Sequence, residues 1–232
     1  IHCHDHHVGL IPFMTKYCPE YNWALGNTPT IFTIHNGEYH GTFGWDKMYL
    51  LPHFEKEAKG ILDWKNAITP LAAAIKSAWR VTTVSPSYLG ELMTSSKGLE
   101  SLLIHEQHKS LGIINGIDSV VWDPKTDPFI SDHLKRSIPA YKKKNKDALK
   151  PSFPVDMKLP LVTFIGRLAK EKGADLIPDL VHSLMHSDLE VSIAVLGTGD
   201  PKLHDELAHL NHLYPDRFHA RLEYNEGLAN KL

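Results

Sequence analysis

The chain has 232 residues, of which 42% are hydrophobic and 22% charged, a composition typical of folded proteins with one large or two small cores. Its formal net charge of −2 provides no general attraction to nucleic acid or to an anionic membrane, so neither is expected as a partner. Two cysteines, Cys3 and Cys18, are too few for a disulfide framework, and no run reaches the roughly 20 apolar residues that cross a bilayer, so a cytoplasmic location is predicted.

Short apolar runs alternate with helical patterns along the chain. The runs predict strands over residues 28–34, 81–84, 161–165, 191–196 and 218–222, and the periodic patterns predict helices over 8–16, 71–78, 88–93, 174–185 and 201–213. Such alternation indicates parallel sheets flanked by helices, whose strands are apolar because both sheet faces are buried. The sequence therefore predicts an α/β fold.

A lysine-rich and then proline-rich stretch divides the chain. Lysines crowd residues 142–146, and Pro151, Pro154 and Pro160 follow within a few residues. Closely spaced prolines exclude a central strand. We expect a domain boundary near residue 155, with one α/β half-domain over 1–155 and another over 156–232.

Both ends of the chain have the pattern of interrupted elements. Residues 1–4 resemble the end of a strand whose beginning is missing, and they lack the basic and then apolar pattern of a secretory leader. The chain stops at Leu232, shortly after a helix begins near Asn225. We expect a piece of a longer protein, cut at both termini.

The first polar cluster, HCHDHH at residues 2–7, contains three types of metal-ligating side chain. Alternate residues of a strand point to opposite faces, so the run cannot converge on one ion without a turn, and no second ligand cluster completes a site. We therefore expect no metal site. The favoured interpretation is a strand end that delivers His4 and Asp5 into a cleft.

Polar residues follow later strands as well. His35 and Asn36 follow the strand over 28–34, Ser85 follows that over 81–84, and Asn115 follows a short apolar run. The carboxyl ends of parallel strands meet at one edge, where ligands bind. Each segment also has a plainer interpretation: a polar turn, a helix cap for Ser85, and an Asn-Gly turn for Asn115.

The second half carries two strand-to-helix turns. Arg167 and Lys172 lie in the first, GRLAKEKGAD, and two cations beside a helix amino terminus suit a pyrophosphate. The alternative is a pair of solvated loop cations. Gly197 and Gly199 lie in the second, which resembles a phosphate-binding turn but lacks the third glycine of the dinucleotide pattern. Its alternative is a tight strand–helix connection.

Taken in order, eight segments resemble the bacterial glycogen (starch) synthase family of retaining glycosyltransferases. They are residues 2–10, 33–41, 84–88, 112–118, 122–127, Arg167-Leu168 with Lys172-Gly173, 196–201 and 224–226. The resemblance covers essentially the whole chain.

This resemblance implies a GT-B fold, in which two Rossmann-like domains face each other across a cleft. Residues 1–155 would be the later part of the acceptor-side domain, and 156–232 the opening part of the nucleotide-sugar-binding domain. The implied reaction transfers glucose from ADP-glucose to the non-reducing end of an α-1,4-glucan with retention of configuration. No cofactor is implied.

For the sugar side of the site, the resemblance implies that His4 contacts the donor glucose. Asp5, His35 and Asn36 would line the cleft nearby, and Asn115 would lie near the donor.

For the nucleotide side, the resemblance implies that Arg167 and Lys172 hold the donor phosphates and stabilise the charge on the departing ADP. They would replace the divalent ion of other glycosyltransferases, so no metal dependence is expected. The turn at Gly197 and Gly199 would approach the nucleotide, and Tyr224 would pack near the adenine.

Four positions depart from the family pattern: His6 stands where Trp is usual, His40 where Gln is, Gly166 where Ser is, and Glu171 where Gln is. Glu171 beside Lys172 is expected to weaken phosphate affinity unless it points away. The family's Lys- and Gly-rich donor loop would precede residue 1, and its donor-gripping glutamate motif would follow residue 232. The 232-residue chain is therefore expected to be inactive by itself.

Three alternatives remain open at this point. One is another retaining glycosyltransferase on the same scaffold, of the sucrose or trehalose synthase type, because a fold does not fix donor or acceptor. A second is a non-catalytic module that binds a nucleotide or a glucan. A metal-binding module is the third.

Overall fold

Two compact units make up the chain. The computed structural model describes residues 1–232, which divide into unit 1, Ile1–Gly116, and unit 2, Ile117–Leu232. No helix in either unit has both the length and the apolar character needed to cross a membrane.

The main sheet of unit 1 consists of strands β1 (His2–His4), β2 (Ile31–Ile34), β5 (Arg80–Thr83) and β6 (Ser110–Gly112). They lie in the order β1-β2-β5-β6, and every neighbouring pair is parallel. A separate antiparallel hairpin joins β3 (Asp63–Trp64) to β4 (Ala67–Ile68). All four main strands therefore place their carboxyl ends at one edge of the sheet.

Six α-helices accompany this sheet: α1 Ile11–Tyr17, α2 Pro19–Leu25, α3 Lys59–Leu62, α4 Pro70–Ser77, α5 Pro86–Thr94 and α6 Glu100–His105. Four of them, α1, α2, α4 and α5, carry proline in the first turn, where its missing N–H would have had no helical partner. Helix α4 is buried along nearly its whole length, and its Leu71 and Ile75 pack with Phe32 and Val81 of the sheet. This contact forms the centre of the core of unit 1.

Unit 2 contains a sheet of three parallel strands, β7 (Leu161–Ile165), β8 (Ser192–Leu196) and β9 (Phe218–Arg221), in that order. Its helices are α7 Ile138–Ala148, α8 Ile177–Met185, α9 Pro201–Leu213 and α10 Glu226–Lys231. Every residue of the central strand β8 is buried. Ile193 and Val195 pack into one core cluster, and Ala194 and Leu196 into a second, as expected of a strand covered on both faces.

The predicted α/β architecture of parallel sheets flanked by helices is confirmed. All five predicted strands are present, and the strand over 161–165 and the helix over 201–213 have the predicted bounds. The largest difference in a strand is at 28–34, where β2 begins only at Ile31.

Two predicted helices start later than expected. The helix over 8–16 begins at Ile11, after a 3-10 turn at His6–Val8. Between the turn and the helix, Gly9 lies so close to the Pro70 carbonyl that a Cβ at this position would be only 2.6 Å from the carbonyl oxygen. The helix over 174–185 begins at Ile177, after two 3-10 turns joined by Gly173 at φ 70°. Gly173, in the left-handed region, separates these two turns, and α8 starts only after the second of them.

The division between the units differs from the boundary expected near residue 155. Phe153, Val155 and Met157 are buried with Leu196 of β8 in a core cluster of unit 2. The lysine- and proline-rich stretch therefore packs as part of unit 2 and does not link two cores. The assignment of family domains to the two halves stays a prediction.

Candidate functional site

Two histidines meet at the carboxyl edge of the sheet in unit 1. His4 ends β1 and His35 directly follows β2, and the parallel pairing of these strands brings the two side chains together. The Nδ1 atom of His4 lies 2.9 Å from the Nε2 atom of His35. One ring must donate and the other accept in this hydrogen bond, so each imidazole restrains the other.

Asp5 holds the loop that follows β2. Its Oδ1 atom accepts hydrogen bonds from the backbone N–H groups of His35, at 2.8 Å, and Asn36, at 3.3 Å. The backbone of Asp5 itself adopts φ 59° and ψ 175°, a region that non-glycine residues rarely occupy. Asp5 thus supports its neighbours, and the delivery of its side chain into a cleft stays a prediction.

The same loop has two further supports. The Oδ1 atom of Asn36 accepts from the Glu38 amide at 2.9 Å, and the Tyr88 hydroxyl accepts from the Gly37 amide at 2.9 Å. Sequence reasoning did not select Tyr88 as a site residue. Its only signals were its place in the 84–88 segment and its position three residues after the Ser85 cap, whose Oγ accepts from the Tyr88 amide at 2.9 Å.

The other histidines of the cluster do not assemble a metal site. No group of three or more His, Cys, Asp or Glu side chains is close enough to hold an ion. His6 stacks on His7 with ring centroids 3.9 Å apart, and its buried Nδ1 atom has no hydrogen-bond partner. Burial, and next the neighbouring charge of His7, lower the pKa of His6. Asn115 is exposed beyond the end of β6.

In unit 2, a cavity of 680 Å³ lies at the carboxyl edge of the sheet. Residues at or just beyond the ends of β7, β8 and β9 form most of its wall, and helix α10 completes it. The lining residues are Trp122, Ile165, Gly166, Arg167, Leu196, Gly197, Thr198, Gly199, Glu223, Tyr224, Asn225, Glu226, Ala229 and Asn230. The structure therefore brings together four predicted nucleotide-side residues, namely Arg167, Gly197, Gly199 and Tyr224.

The two glycines of the β8 turn are required by the neighbouring loop. A Cβ at Gly197 would overlap the carbonyl oxygen of Gly166, and one at Gly199 would overlap that of Leu168. The loops are also joined by hydrogen bonds from the Leu168 amide to the Thr198 carbonyl, at 2.9 Å, and from the Asp200 amide to the Leu168 carbonyl, at 2.8 Å. The glycines thus let the two loops that form the cavity wall approach each other.

The amides of the β8 turn are largely occupied. The Gly197 amide donates to the Arg221 carbonyl at 3.1 Å, and the Gly199 amide donates to Nε2 of His204 at 3.1 Å. Asp200 caps helix α9 by accepting from the Lys202 amide at 2.8 Å. The phosphate-binding role expected from the glycine pattern is therefore not available to these two amides in this arrangement.

The two predicted cations differ in position. Arg167 lines the cavity, and its Nη2 atom forms an ion pair of 2.5 Å with Oε1 of Glu171. Lys172 is exposed, does not line the cavity and lies in a 3-10 turn five residues before α8 begins at Ile177. Only the 3-10 turn Ala174–Leu176 separates Lys172 from α8, whereas Arg167 lies farther from that helix in sequence, and the joint action of the two cations on a phosphate stays a prediction.

The aromatic part of the cavity includes one residue that sequence reasoning selected and one that it did not. Tyr224 is 84% exposed, so most of its ring is free to contact a ligand. Trp122 also lines the cavity and is 49% exposed. Its only signal in the sequence was its place in the WDPKTD segment, which supported the resemblance without suggesting a role for the side chain.

Unit 2 thus has the construction of α/β proteins that bind nucleotides and other ligands at the carboxyl edge of a parallel sheet. Comparison with known proteins is more specific. Residues 1–105 match the family described as starch synthase catalytic domain. The chain is 43% identical over 232 residues to a glycogen synthase of Flavobacterium johnsoniae, covering 99% of this chain and 49% of the relative.

Other relatives agree with this assignment. A glycogen synthase of Streptococcus gordonii is 38% identical over 240 residues, covering 100% of this chain and 50% of the relative. The solved structure of the catalytic domain of starch synthase IV from Arabidopsis thaliana, bound to ADP and acarbose, superposes with a TM-score of 0.83 at 28% identity, covering 100% of this chain and 49% of that one. The chain spans about half the length of the curated relatives it matches.

The resemblance to the glycogen and starch synthase family is confirmed, as is the fold class that it implied. The chain is similar to bacterial glycogen synthases and to a plant starch synthase.

Proposed function

We propose that this chain is part of a hexosyltransferase of glycogen biosynthesis, which transfers glucose from ADP-glucose to the non-reducing end of an α-1,4-glucan with retention of configuration. The observation that carries the proposal is the cavity of unit 2, with Arg167 and Tyr224 in its wall, in a chain whose structural neighbour binds ADP and acarbose. A cytoplasmic location is part of this proposal. Neither nucleic acid nor a membrane is a proposed partner.

In this proposal the cavity of unit 2 holds the nucleotide of the donor. Its volume of 680 Å³ lies within the usual range for small-molecule sites, about 300–1,000 Å³. The exposed ring of Tyr224 packs near the adenine, and the turn at Gly197 and Gly199 forms the wall beside the nucleotide.

Arg167 acts on the diphosphate. Breaking the bond between glucose and phosphate leaves negative charge on ADP, and a cation already fixed at that position lowers the barrier without reorganisation. A guanidinium can engage two phosphate oxygens at once, and losing one such contact costs on the order of 3 kcal/mol in the transition state. Lys172 lies outside the wall and reaches the phosphates, in this proposal, through its flexible side chain.

The sugar-side roles in unit 1 are carried over from the family resemblance. His4 contacts the donor glucose, and its hydrogen bond to His35 holds the ring in one orientation. Asp5 acts through the loop whose amides it accepts, and Asn36 shapes that loop. Asn115 lies near the donor.

The proposal is tested by titrating ADP into the 232-residue chain and measuring binding by calorimetry. We expect Arg167→Ala to weaken binding by about 10- to 100-fold, the value of one or two hydrogen bonds to a charged group. The matched control is Arg136→Ala, which removes an exposed arginine of unit 2 that does not line the cavity.

Equal affinities of the Arg167→Ala variant and the wild-type chain would contradict the assignment of the nucleotide site. The full-length protein then separates an enzyme from a binding module. In an enzyme, Arg167→Ala reduces glucose transfer to a maltooligosaccharide even at saturating ADP-glucose, whereas a binding module has no transfer to lose.

A further inference from the structure

The ion pair between Arg167 and Glu171 joins the cavity to a residue outside it. Arg167 is part of the cavity wall and Glu171 is not. The Nη2 atom of Arg167 lies 2.5 Å from the Oε1 atom of Glu171, which follows it by four residues in the sequence. Both side chains are well exposed: 65% of the Arg167 side chain and 48% of the Glu171 side chain are accessible to solvent. No other carboxylate forms an ion pair with Arg167.

We propose that Glu171 sets the affinity of this cavity for a nucleoside diphosphate by competing with the phosphates for Arg167. This inference rests on the proposed function, because it assumes that Arg167 binds the diphosphate. It adds to that function an acidic residue that weakens binding and so favours release of the nucleotide product.

The expected direction follows from the charges. A carboxylate paired with the guanidinium cancels much of the positive field that would attract a diphosphate, and it repels the phosphates directly over a few ångströms. Glu171 forms no ion pair with Lys170 or Lys172, so Arg167 is the cation whose charge it offsets. A glutamine at this position keeps a similar shape and a hydrogen-bonding oxygen but removes both effects.

The pair is also easily exchanged. Only one hydrogen bond joins the two side chains, which leaves the other guanidinium donors free. Exposed ion pairs contribute only about 0.2–1 kcal/mol to stability. Substituting Glu171 should therefore leave unit 2 folded, and the same range of energy corresponds to an affinity change of up to about fivefold.

The test compares ADP binding by the 232-residue chain in three forms: wild type, Glu171→Gln and Glu190→Gln. Glu190 is a matched control, since it is an exposed carboxylate of unit 2 that precedes β8 at the opposite edge of the sheet and forms no ion pair. We expect Glu171→Gln to bind ADP about two- to fivefold more tightly, and Glu190→Gln to bind as the wild type does. Raising the salt concentration should reduce the gain, because the effect is electrostatic.

A double-mutant cycle with Arg167→Gln shows whether Glu171 acts through Arg167. The gain from Glu171→Gln should shrink when Arg167 is absent, leaving only the part that comes from direct repulsion of the phosphates. Unchanged or weaker ADP binding by Glu171→Gln, in a chain where Arg167→Gln still impairs binding, overturns this inference and leaves the proposed function intact. Failure of both the wild type and Glu171→Gln to bind ADP overturns the proposed function and the inference with it.

Discussion

The carboxyl edges of the two sheets are built from similar strands but organise their polar groups differently. In unit 1, His4 pairs with His35, and Asp5 accepts from the loop after β2, so these predicted site residues largely hold one another. In unit 2, the strand ends surround a cavity of 680 Å³, and the exposed side chains of Arg167 and Tyr224 have room to meet a ligand.

The difference shows that residues at a strand end can organise the edge of a sheet in two ways. Asp5 keeps a backbone conformation that costs about 1–3 kcal/mol for a non-glycine residue, and its carboxylate compensates by fixing two amides of the next loop. Gly197 and Gly199 instead bring two loops close enough to form one wall. The carboxyl edge of the sheet in unit 1 therefore carries a hydrogen-bonded network, whereas the same edge in unit 2 borders a cavity.

The largest expected effect tests the shape of the cavity in unit 2. Gly197→Ala places a methyl group on the Gly166 carbonyl oxygen, and relief requires the two loops to separate. We expect unit 2 to lose about 3 kcal/mol of stability, at the upper end of the usual cost of overpacking. Urea unfolding gives the free energy, and hydrogen exchange read by mass spectrometry shows whether the loss is confined to unit 2.

The control for this substitution lies in the adjacent loop. A Cβ at Gly166 meets only the Phe164 ring, at 3.7 Å, which is an ordinary contact. Gly166→Ala should therefore change stability by less than about 0.5 kcal/mol. Equal stabilities of the two alanine variants would show that close approach of the loops does not shape the cavity.

A smaller loss is expected when the network of unit 1 is broken. Asp5→Ala removes the acceptor of two amide hydrogen bonds and keeps the strained backbone, so we expect a loss of about 2 kcal/mol. Asp5→Gly loses the same bonds but adopts the conformation without strain, so it should be less destabilised than Asp5→Ala. Urea unfolding ranks the two variants, with the exposed Glu91→Ala as a control. The reverse order would mean that strain at Asp5 is unimportant.

Much of the fold followed from the sequence, because buried parallel strands leave a strong signal. The apolar run of β8 and the helical pattern of α9 end within a residue of their predicted bounds. The boundary near residue 155 could not be placed in this way, since prolines and lysines describe the local chain and not its packing. Phe153 carries no local signal that it is buried in the core of unit 2.

The site was predictable to the level of strand ends but not of contacts. The sequence selected Arg167 and Tyr224, which the structure brings to one cavity, and it also selected Lys172, which lies outside the wall. A pattern of glycines does not reveal whether the side chain is absent to make room for a ligand or for a second loop. Glu171 forms its ion pair with Arg167 and none with the adjacent Lys172. This choice depends on the directions of the side chains in the 3-10 turn, which residue spacing does not determine.

Acidification should weaken both units to a small extent. Burial is the main cause that lowers the pKa of His2 and His6 in unit 1 and of His219 in unit 2 below the ordinary value of 6.5. As the pH falls through 6.5, these histidines therefore take up protons in the unfolded chain before they do so in the folded chain, so their contribution to stability declines and then levels off below the folded pKa values.

Substitutions of single histidines should separate the pH dependence of the stability of unit 1 from that of unit 2. His6→Gln should flatten the decline in unit 1 and leave that of unit 2, whereas His219→Gln should do the opposite. Urea titrations followed by NMR at a series of pH values give each unit its own unfolding midpoint. A decline that neither substitution alters would assign the pH dependence to other groups.

The smallest expected effect is that of a chelator, which we expect to change nothing in either unit. The histidine-rich edge of unit 1 would be the natural place for an ion in a metal-binding module, since His4 and His35 already place two ring nitrogens 2.9 Å apart. That distance is instead explained by a hydrogen bond between a donor ring and an acceptor ring. In the proposed function, Arg167 supplies in unit 2 the positive charge that a divalent ion would otherwise provide. Incubation with EDTA should therefore leave both the unfolding midpoint of unit 1 and ADP binding by unit 2 unchanged.

Two outcomes would contradict this expectation. A lower unfolding midpoint in EDTA that zinc restores would place unit 1 in the metal-binding class. Loss of ADP binding that magnesium restores would mean that the Arg167 guanidinium does not act alone on the diphosphate.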